Sequence, residues 1–260
     1  MRRSVFSYPY IVWMLLFILS PMILIFYYAF TGEGGFTLQY LVSALDADNL
    51  TVLWDSIRLA LYTTVICLLL GYPVALMLSR MRKATATLLS VFFIVPMWMN
   101  FLLRTYAWKV LLGAYTGILY TEAAVLLGMV YNFLPFMILP IYTILMKLDP
   151  SYIEAAGDLG ANGVTTFFKV ILPLSLPGII SGITMVFIPS TTTFAISQLL
   201  GGGMTMIYGD LIYMKFITEQ SWSAGSALSI VLLAFVLLSM GIMRHFDKDS
   251  SGEKGGVRKW

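Results

Sequence analysis

The stretch Ala123-Ala-Val-Leu-Leu-Gly-Met-Val-Tyr-Asn-Phe-Leu-Pro135-Phe-Met-Ile-Leu-Pro140-Ile-Tyr-Thr-Ile-Leu-Met146 contains no charged side chain. A membrane-crossing helix needs about 20 such residues, so this segment is long enough to span a bilayer. The rest of the chain has the same character. Of 260 residues, 59% are hydrophobic and 11% charged, against about 25% charged in soluble domains. A water-soluble globule of this size could not hide so much apolar surface, so part of its solvent must be lipid.

Working outward with a window of about 19 residues, five further apolar runs emerge: 10–30, 57–78, 87–112, 174–197 and 224–243. The expected fold is all-α, a polytopic membrane bundle of six transmembrane helices in one domain from 10 to 243. A short segment 1–9 precedes it and a tail 244–260 follows. The first run, headed by Arg2 and Arg3, exceeds a signal-peptide core and lacks a small-residue cleavage site, so it is read as a retained span. The single cysteine, Cys67, sits inside an apolar run and is read as a buried small hydrophobe.

Basic residues set the expected orientation. Arg2, Arg3, Arg80, Arg82, Lys83, Lys147, Lys169, Arg244, Lys248, Lys254, Arg258 and Lys259, 12 of the 16 Lys and Arg, fall on one side of a six-span layout. The loop 31–54 has no basic residue, only Glu33, Asp46 and Asp48. The positive-inside rule then places both termini in the cytoplasm. This charge distribution speaks for topology and not for a nucleic-acid partner. Pro21, Pro73, Pro96, Pro135, Pro140 and Pro189 fall at membrane depth. Lipid offers no substitute for the hydrogen bonds they remove, so a bundle with an internal path suits them better than simple anchors.

The connection 147–173 is the most polar break between spans. Asp149-Pro150-Ser151 reads as a helix start, Ser151 to Leu159 as a short helix, and Gly160 as its left-handed cap. After the turn Ala161-Asn162-Gly163, a second short helix from about Thr165 to Val170 would lead to Pro173 at the mouth of the fifth span. Small Ala155 and Ala156 beside Glu154 and Asp158 suit insertion into a groove on another protein. They suit equally a solvated connector whose alanines are good helix formers.

The spaced run Glu154-Ala155-Ala156, Gly160, Val170-x-Leu172-Pro173 resembles the EAA loop of binding-protein-dependent ABC importers, with Val170 where that pattern has isoleucine. The likeness continues in Leu70-Gly-Tyr-Pro-Val-Ala75, Val95-Pro-Met-Trp98, Leu103-Arg-Thr-Tyr-Ala-Trp108, Leu134-Pro-Phe-Met137 and Leu199-Leu-Gly-Gly-Gly203 followed by Ile207-x-Gly209. Over about residues 55–240 the chain is similar to the spermidine/putrescine permeases, nearer their PotB/PotH type. The resemblance implies a type I, MetI-like permease fold. It also implies that Glu154, Ala155, Ala156, Asp158, Gly160, Leu172 and Pro173 couple to an ATPase. The implied partners are an ATPase dimer, a second, PotC/PotI-like permease subunit and an extracytoplasmic binding protein, in the cytoplasmic or inner membrane. Permeases for iron, sulfate or molybdate are weaker likenesses.

No G-x-x-x-x-G-K-[ST] loop occurs, so ATP and Mg would be bound by the partner. The one histidine, His245, leaves no material for a metal cluster or a Ser-His-Asp triad, and no cofactor is expected on this chain. Candidate path residues are Trp98, Asn100, Tyr106, Tyr131, Asn132, Thr192, Gln198 and Asp210. Aromatic faces would attract ammonium groups, and the carboxylate would pair with them. An interfacial aromatic belt is the competing reading. Arg104 and Lys109 would repel a polycation and are read as interface anchors or binding-protein contacts. The remaining functional alternative is a self-sufficient secondary carrier or channel.

Overall fold

The computed structural model describes residues 8–32 and 34–250. Arg2, Arg3, Glu33, Lys254, Arg258 and Lys259 lie outside the described residues, as do most of segment 1–9 and the end of tail 244–260. In chain order the elements are α1 (Tyr10–Ala29), a hairpin of β1 (Thr31–Gly32) and β2 (Gly35–Phe36), α2 (Gln39–Ala44) and α3 (Ala47–Ser79). Then come α4 (Lys83–Trp98), α5 (Phe101–Tyr115), α6 (Glu122–Leu145) and α7 (Ser151–Asp158). Last are α8 (Gly163–Thr192), α9 (Tyr208–Tyr213) and α10 (Trp222–His245).

Among the described residues, five helices are long and apolar enough to cross a membrane: α1, α3, α6, α8 and α10. The expected third span, 87–112, is not one straight helix. It is the pair α4 and α5, bent by 92°. Met99 is extended, at φ −71° and ψ 148°. Asn100 then caps the new helix, its Oδ1 accepting the Leu102 N–H at 2.8 Å. Pro96 lies one turn upstream. A polar cap restarting the backbone is a stronger stop than the continuous hydrophobicity of Val95–Leu112 suggests.

A second difference concerns Pro173. The expected short helix near 165–170 does not end before the fifth span. It runs into it, making α8 one helix of 30 residues. The device is a π-turn, Phe167–Ile171, in which the Leu172 N–H donates five residues back to the Phe167 carbonyl. Proline cannot donate, and its ring collides with the carbonyl four residues earlier. Widening the preceding turn relieves that collision. The same arrangement recurs in α1, where Leu15–Leu19 is a π-turn, the Ser20 N–H donates to the Leu15 carbonyl, and Pro21 follows.

The core is formed by α3, α6 and α8. Leu59, Cys67, Met129, Met137, Ile138, Ile141, Ile179 and Val186 are buried among them. Close helix contact depends on Gly178, where an added Cβ would stand 3.1 Å from Ile141 Cα. This face supplies the largest share of the packing between helices, and with lipid as apolar as these side chains its cohesion comes from close van der Waals fit. A second cluster, with Ala29, Leu53, Tyr208, Leu211, Ala227 and Leu228, ties α1, α3, α9 and α10 together. The residues 198–222, expected as an outer loop, are largely helical here: Ile207 to Leu211 are buried, and the Tyr208 N–H donates to Ser56 Oγ on α3 at 2.7 Å. By contrast α1 has none of its most apolar window buried within the chain. An apolar cavity of about 640 Å³, lined by Tyr28, Phe194, Tyr213 and Trp222, separates it from α9.

Gly178→Leu is expected to destabilise the fold by about 1–3 kcal/mol through overpacking, seen as a lower melting temperature in detergent. Gly241→Leu, where an added Cβ meets nothing within 4 Å and the helix loses a glycine, should not lower that temperature.

Candidate coupling surface and pathway wall

Helix α7 is short, yet closed at both ends. At its start, Asp149 Oδ1 accepts the Ser151 N–H at 2.9 Å, and this bond, to a backbone donor, holds the Asp149 carboxyl below its ordinary pKa. At its end the Ala161 N–H donates to the Ala156 carbonyl at 3.0 Å and the Gly160 N–H to the Gly157 carbonyl at 2.8 Å. These are the paired bonds of a Schellman cap. Gly160 sits at φ +79°, a left-handed conformation that costs a side chain-bearing residue about 1–2 kcal/mol. Asn162 opens α8, its Oδ1 accepting the Thr165 N–H at 2.8 Å. Two caps back to back satisfy the backbone of the α7–α8 junction within the chain itself.

Of α7 only Ala156 is buried, against the start of α8. Glu154, Ala155 and Asp158 are exposed. So are apolar Ile153, Leu159, Val164 and Phe168, with Leu159 89% exposed. Leu172 packs on the main core, and Pro173 stands exposed beside it. The exposed apolar set around Leu159 was not singled out by the loop motif. Leucine at a helix end looks like any core residue until the fold shows that nothing of the chain covers it.

At the other end of the bundle the expected path residues separate into three groups. Trp98, Asn100 and Tyr106 lie on the α4–α5 break and helix α5, all exposed, with Trp98 at 82%. Tyr131 and Asn132 lie on α6. The Tyr131 ring packs edge-on to Trp108 at 5.4 Å between centroids. Asn132 is buried, donating to the Gly128 carbonyl at 2.9 Å and leaving its Oδ1 unpaired. Thr192 bonds only its own helix backbone. Gln198 and Asp210 meet beyond it. Asp210 is 8% exposed, and its Oδ2 accepts the Ile207 N–H at 3.1 Å. Burial raises its carboxyl pKa, while the neighbouring Ser197, Ile207 and Gln198 draw it down. The Ser197 hydroxyl donates to the Phe194 carbonyl at 2.6 Å, and Asp210 Oδ1 has no hydrogen bond. Cys67 is buried, as expected for a structural residue, and His245 is exposed. Among the described residues no group of His, Cys, Asp and Glu could hold a metal.

Residues 67–251 match the family of binding-protein-dependent transport system inner membrane components. The chain belongs to that family. It is thus a membrane-spanning permease subunit of a binding-protein-dependent importer, and not a self-sufficient carrier. The spermidine/putrescine transport system permease protein PotB of Haemophilus influenzae is 38% identical over 259 residues, covering 91% of each chain. PotB of Escherichia coli is 35% identical over 254 residues, covering 89% of this chain and 91% of its own. Among solved structures, a chain of a bacterial ABC transporter importing the acidic polysaccharide alginate superposes with a TM-score of 0.75 at 16% identity. It covers 93% of this permease and 94% of that chain. A chain of the inward-facing MetNI methionine transporter gives 0.61 at 16% identity, covering 77% and 95%. These two likenesses establish the fold, the MetI-like permease architecture.

The two caps of α7 predict opposite effects of two similar substitutions. Gly160→Ala forces a side chain into the left-handed region and should speed amide hydrogen exchange across 151–161. Gly157→Ala, at an interior helical position with nothing within 4 Å of the new Cβ, should slow it, by about 0.5–1 kcal/mol of opening free energy. Mass-spectrometric exchange on the purified permease distinguishes them.

Proposed function

We propose that the permease carries polyamines, spermidine or putrescine, and forms half of their pathway, with a second, PotC/PotI-like subunit supplying the other half. The observation that carries the substrate class is the identity of 35–38% over nine-tenths of the chain with permeases named for spermidine and putrescine transport. The chemistry on the pathway wall supports it. The buried Asp210 carboxylate, with one oxygen unpartnered, would accept an ammonium, and Gln198 beside it could bind the adjoining methylene–amine chain. The exposed aromatic faces of Trp98 and Tyr106 would attract cationic nitrogen.

Drive enters at the opposite end. The exposed Ile153–Leu159–Phe168 surface, rimmed by Glu154 and Asp158, suits a groove on a separate ATPase that binds ATP and Mg. With both termini cytoplasmic, 147–173 faces that ATPase and the 198–222 side faces an extracytoplasmic binding protein. ATP binding shifts the bundle only insofar as this surface fits one ATPase state better than another. The rigid junction of α7 and α8 then passes the movement directly into a membrane-crossing helix.

Deleting the gene for this chain should abolish uptake of labelled spermidine or putrescine, and a plasmid copy should restore it. Leu159→Asp or Glu154→Lys should lower restored uptake by about tenfold or more, the loss expected for an anchor residue at an interface centre. The substituted chain should remain in the membrane. Unchanged uptake of both polyamines on deletion would remove the substrate assignment, and full restoration by both variants would remove the docking assignment.

A further inference from the structure

On α5, Lys109 carries its ammonium within cation–π range of two tyrosine rings, one on α5 and one on the turn after it. Lys109 Nζ lies 6.0 Å from the centroid of the Tyr106 ring and 5.8 Å from that of Tyr120. Among the described residues no carboxylate pairs with it. An ammonium set between two phenol rings is held by their π-faces alone.

The Tyr120 ring is not there by accident of a flexible loop. Its backbone is at φ +67°, one of two non-glycine residues in the left-handed region among those described. Such a conformation persists only when its surroundings over-determine it. Here the Tyr120 N–H donates to the Leu200 carbonyl at 2.8 Å, which ties it to the turn after α8. On that turn the ring occupies the space a side chain at Gly202 would need, an added Cβ falling 2.2 Å from Tyr120 Cδ1. Glycine at 202 is thereby explained, by ring placement as well as by its own φ of +56°. The fold therefore accepts backbone strain at 120 to aim one ring at the position where Lys109 carries its charge. Both tyrosines remain open to solvent, Tyr106 at 55% and Tyr120 at 44% exposure.

We infer that Tyr106 and Tyr120 form a subsite for a primary ammonium of the transported substrate, with Lys109 as an intramolecular occupant that the substrate displaces. The inference rests on the polyamine reading above. Lys109 presents the same chemical group as the end of a polyamine, a primary ammonium on a four-carbon stem, at the site such an end would take. When the site is empty of substrate, Lys109 neutralises the attraction of the rings for small cations. When an alkyl diammonium arrives, its terminal nitrogen replaces Nζ, which swings outward to water. The lysine thus raises the threshold for occupancy, and the rings set preference for alkylammonium over a smaller, better hydrated ion.

The test is binding of radiolabelled spermidine to the purified complete importer complex without binding protein, by equilibrium dialysis. Lys109→Met should tighten binding about two- to five-fold, the factor equivalent to a cation–π contact of about 0.5–1 kcal/mol. Adding Tyr106→Leu to Lys109→Met should remove that gain, while Tyr106→Phe and Tyr120→Phe, which keep the rings, should preserve it. Equal binding by Lys109→Met and the unaltered complex would overturn the subsite, as would a gain that survives Tyr106→Leu. If the unaltered complex transports spermidine once its binding protein is added, such results remove only the subsite. If it transports neither spermidine nor putrescine with the binding protein present, the polyamine reading and the subsite fall together.

Discussion

Every backbone N–H and C=O at membrane depth must find a partner within the protein, because hydrocarbon offers none and an unsatisfied group costs several kcal/mol. The chain carries prolines in nearly all its long helices, at 73, 96, 135, 140, 177 and 189, besides 21 and 173, each just after a π-turn within its helix. Each removes a donor. The structure meets the constraint in three ways. Wide π-turns precede Pro21 and Pro173. Hydroxyls of Ser181 and Thr192 place a further donor on the carbonyls of Pro177 and Pro189 themselves. And the backbone breaks outright at Met99–Asn100 and after Thr192; at the first break the Asn100 side chain accepts the Leu102 N–H and restarts the helix.

This explains which parts of the fold are visible in the amino-acid order. Hydrophobic length marks α1, α3, α6, α8 and α10 because a span is a property of some 20 consecutive residues. It does not mark the bend between α4 and α5. Val95 to Leu112 is apolar throughout apart from Asn100, Arg104, Thr105 and Lys109, and a window average hides a single Asn that caps a new helix. The joining of 165–170 to the fifth span was similarly hidden. Pro173 reads locally as a stop, and only the widened turn before it, set by packing of Phe167 and Ile171 against the core, allows the helix to pass. Tertiary contacts overrode a correct local rule.

The coupling loop was legible for a different reason. Caps are short-range chemistry: Asp149 with Ser151, Gly160 at the end, Asn162 before Thr165 all act within a few residues, so their order along the chain is their geometry. The candidate path residues, by contrast, are brought together from far apart in sequence. Gln198 beside Asp210, Tyr131 against Trp108, and Tyr120 over Lys109 are juxtaposed by the packing of α5, α6 and the turn after α8. Residue type pointed to Tyr106, Tyr131 and Asp210 individually, and gave no means of finding Tyr120. Its decisive features are a positive φ and a glycine that makes room for its ring.

The distribution of rigidity follows from these placements. The three-helix core of α3, α6 and α8 is continuous from the α7–α8 junction to the Ser197–Gly201 turn. Leu200 packs on α6 at Gly128, where an added Cβ would fall 2.3 Å from Leu200 Cδ1. A close-packed interior transmits displacement rather than absorbing it. Under the proposed drive a tilt of α7 would pass into α8, and Leu200, packed on α6 across the break after Thr192, links the turn that holds Tyr120 to the same core. Helix α5 meets the same turn while joined to α4 only through the extended Met99. The proposed ammonium partners, the Tyr106 and Tyr120 rings and the Asp210 carboxylate, thus belong to segments attached to α8 in different ways. Were α7 driven as proposed, the distance between them would change without unfolding any element, as a site that holds a cation in one state and releases it in the other requires.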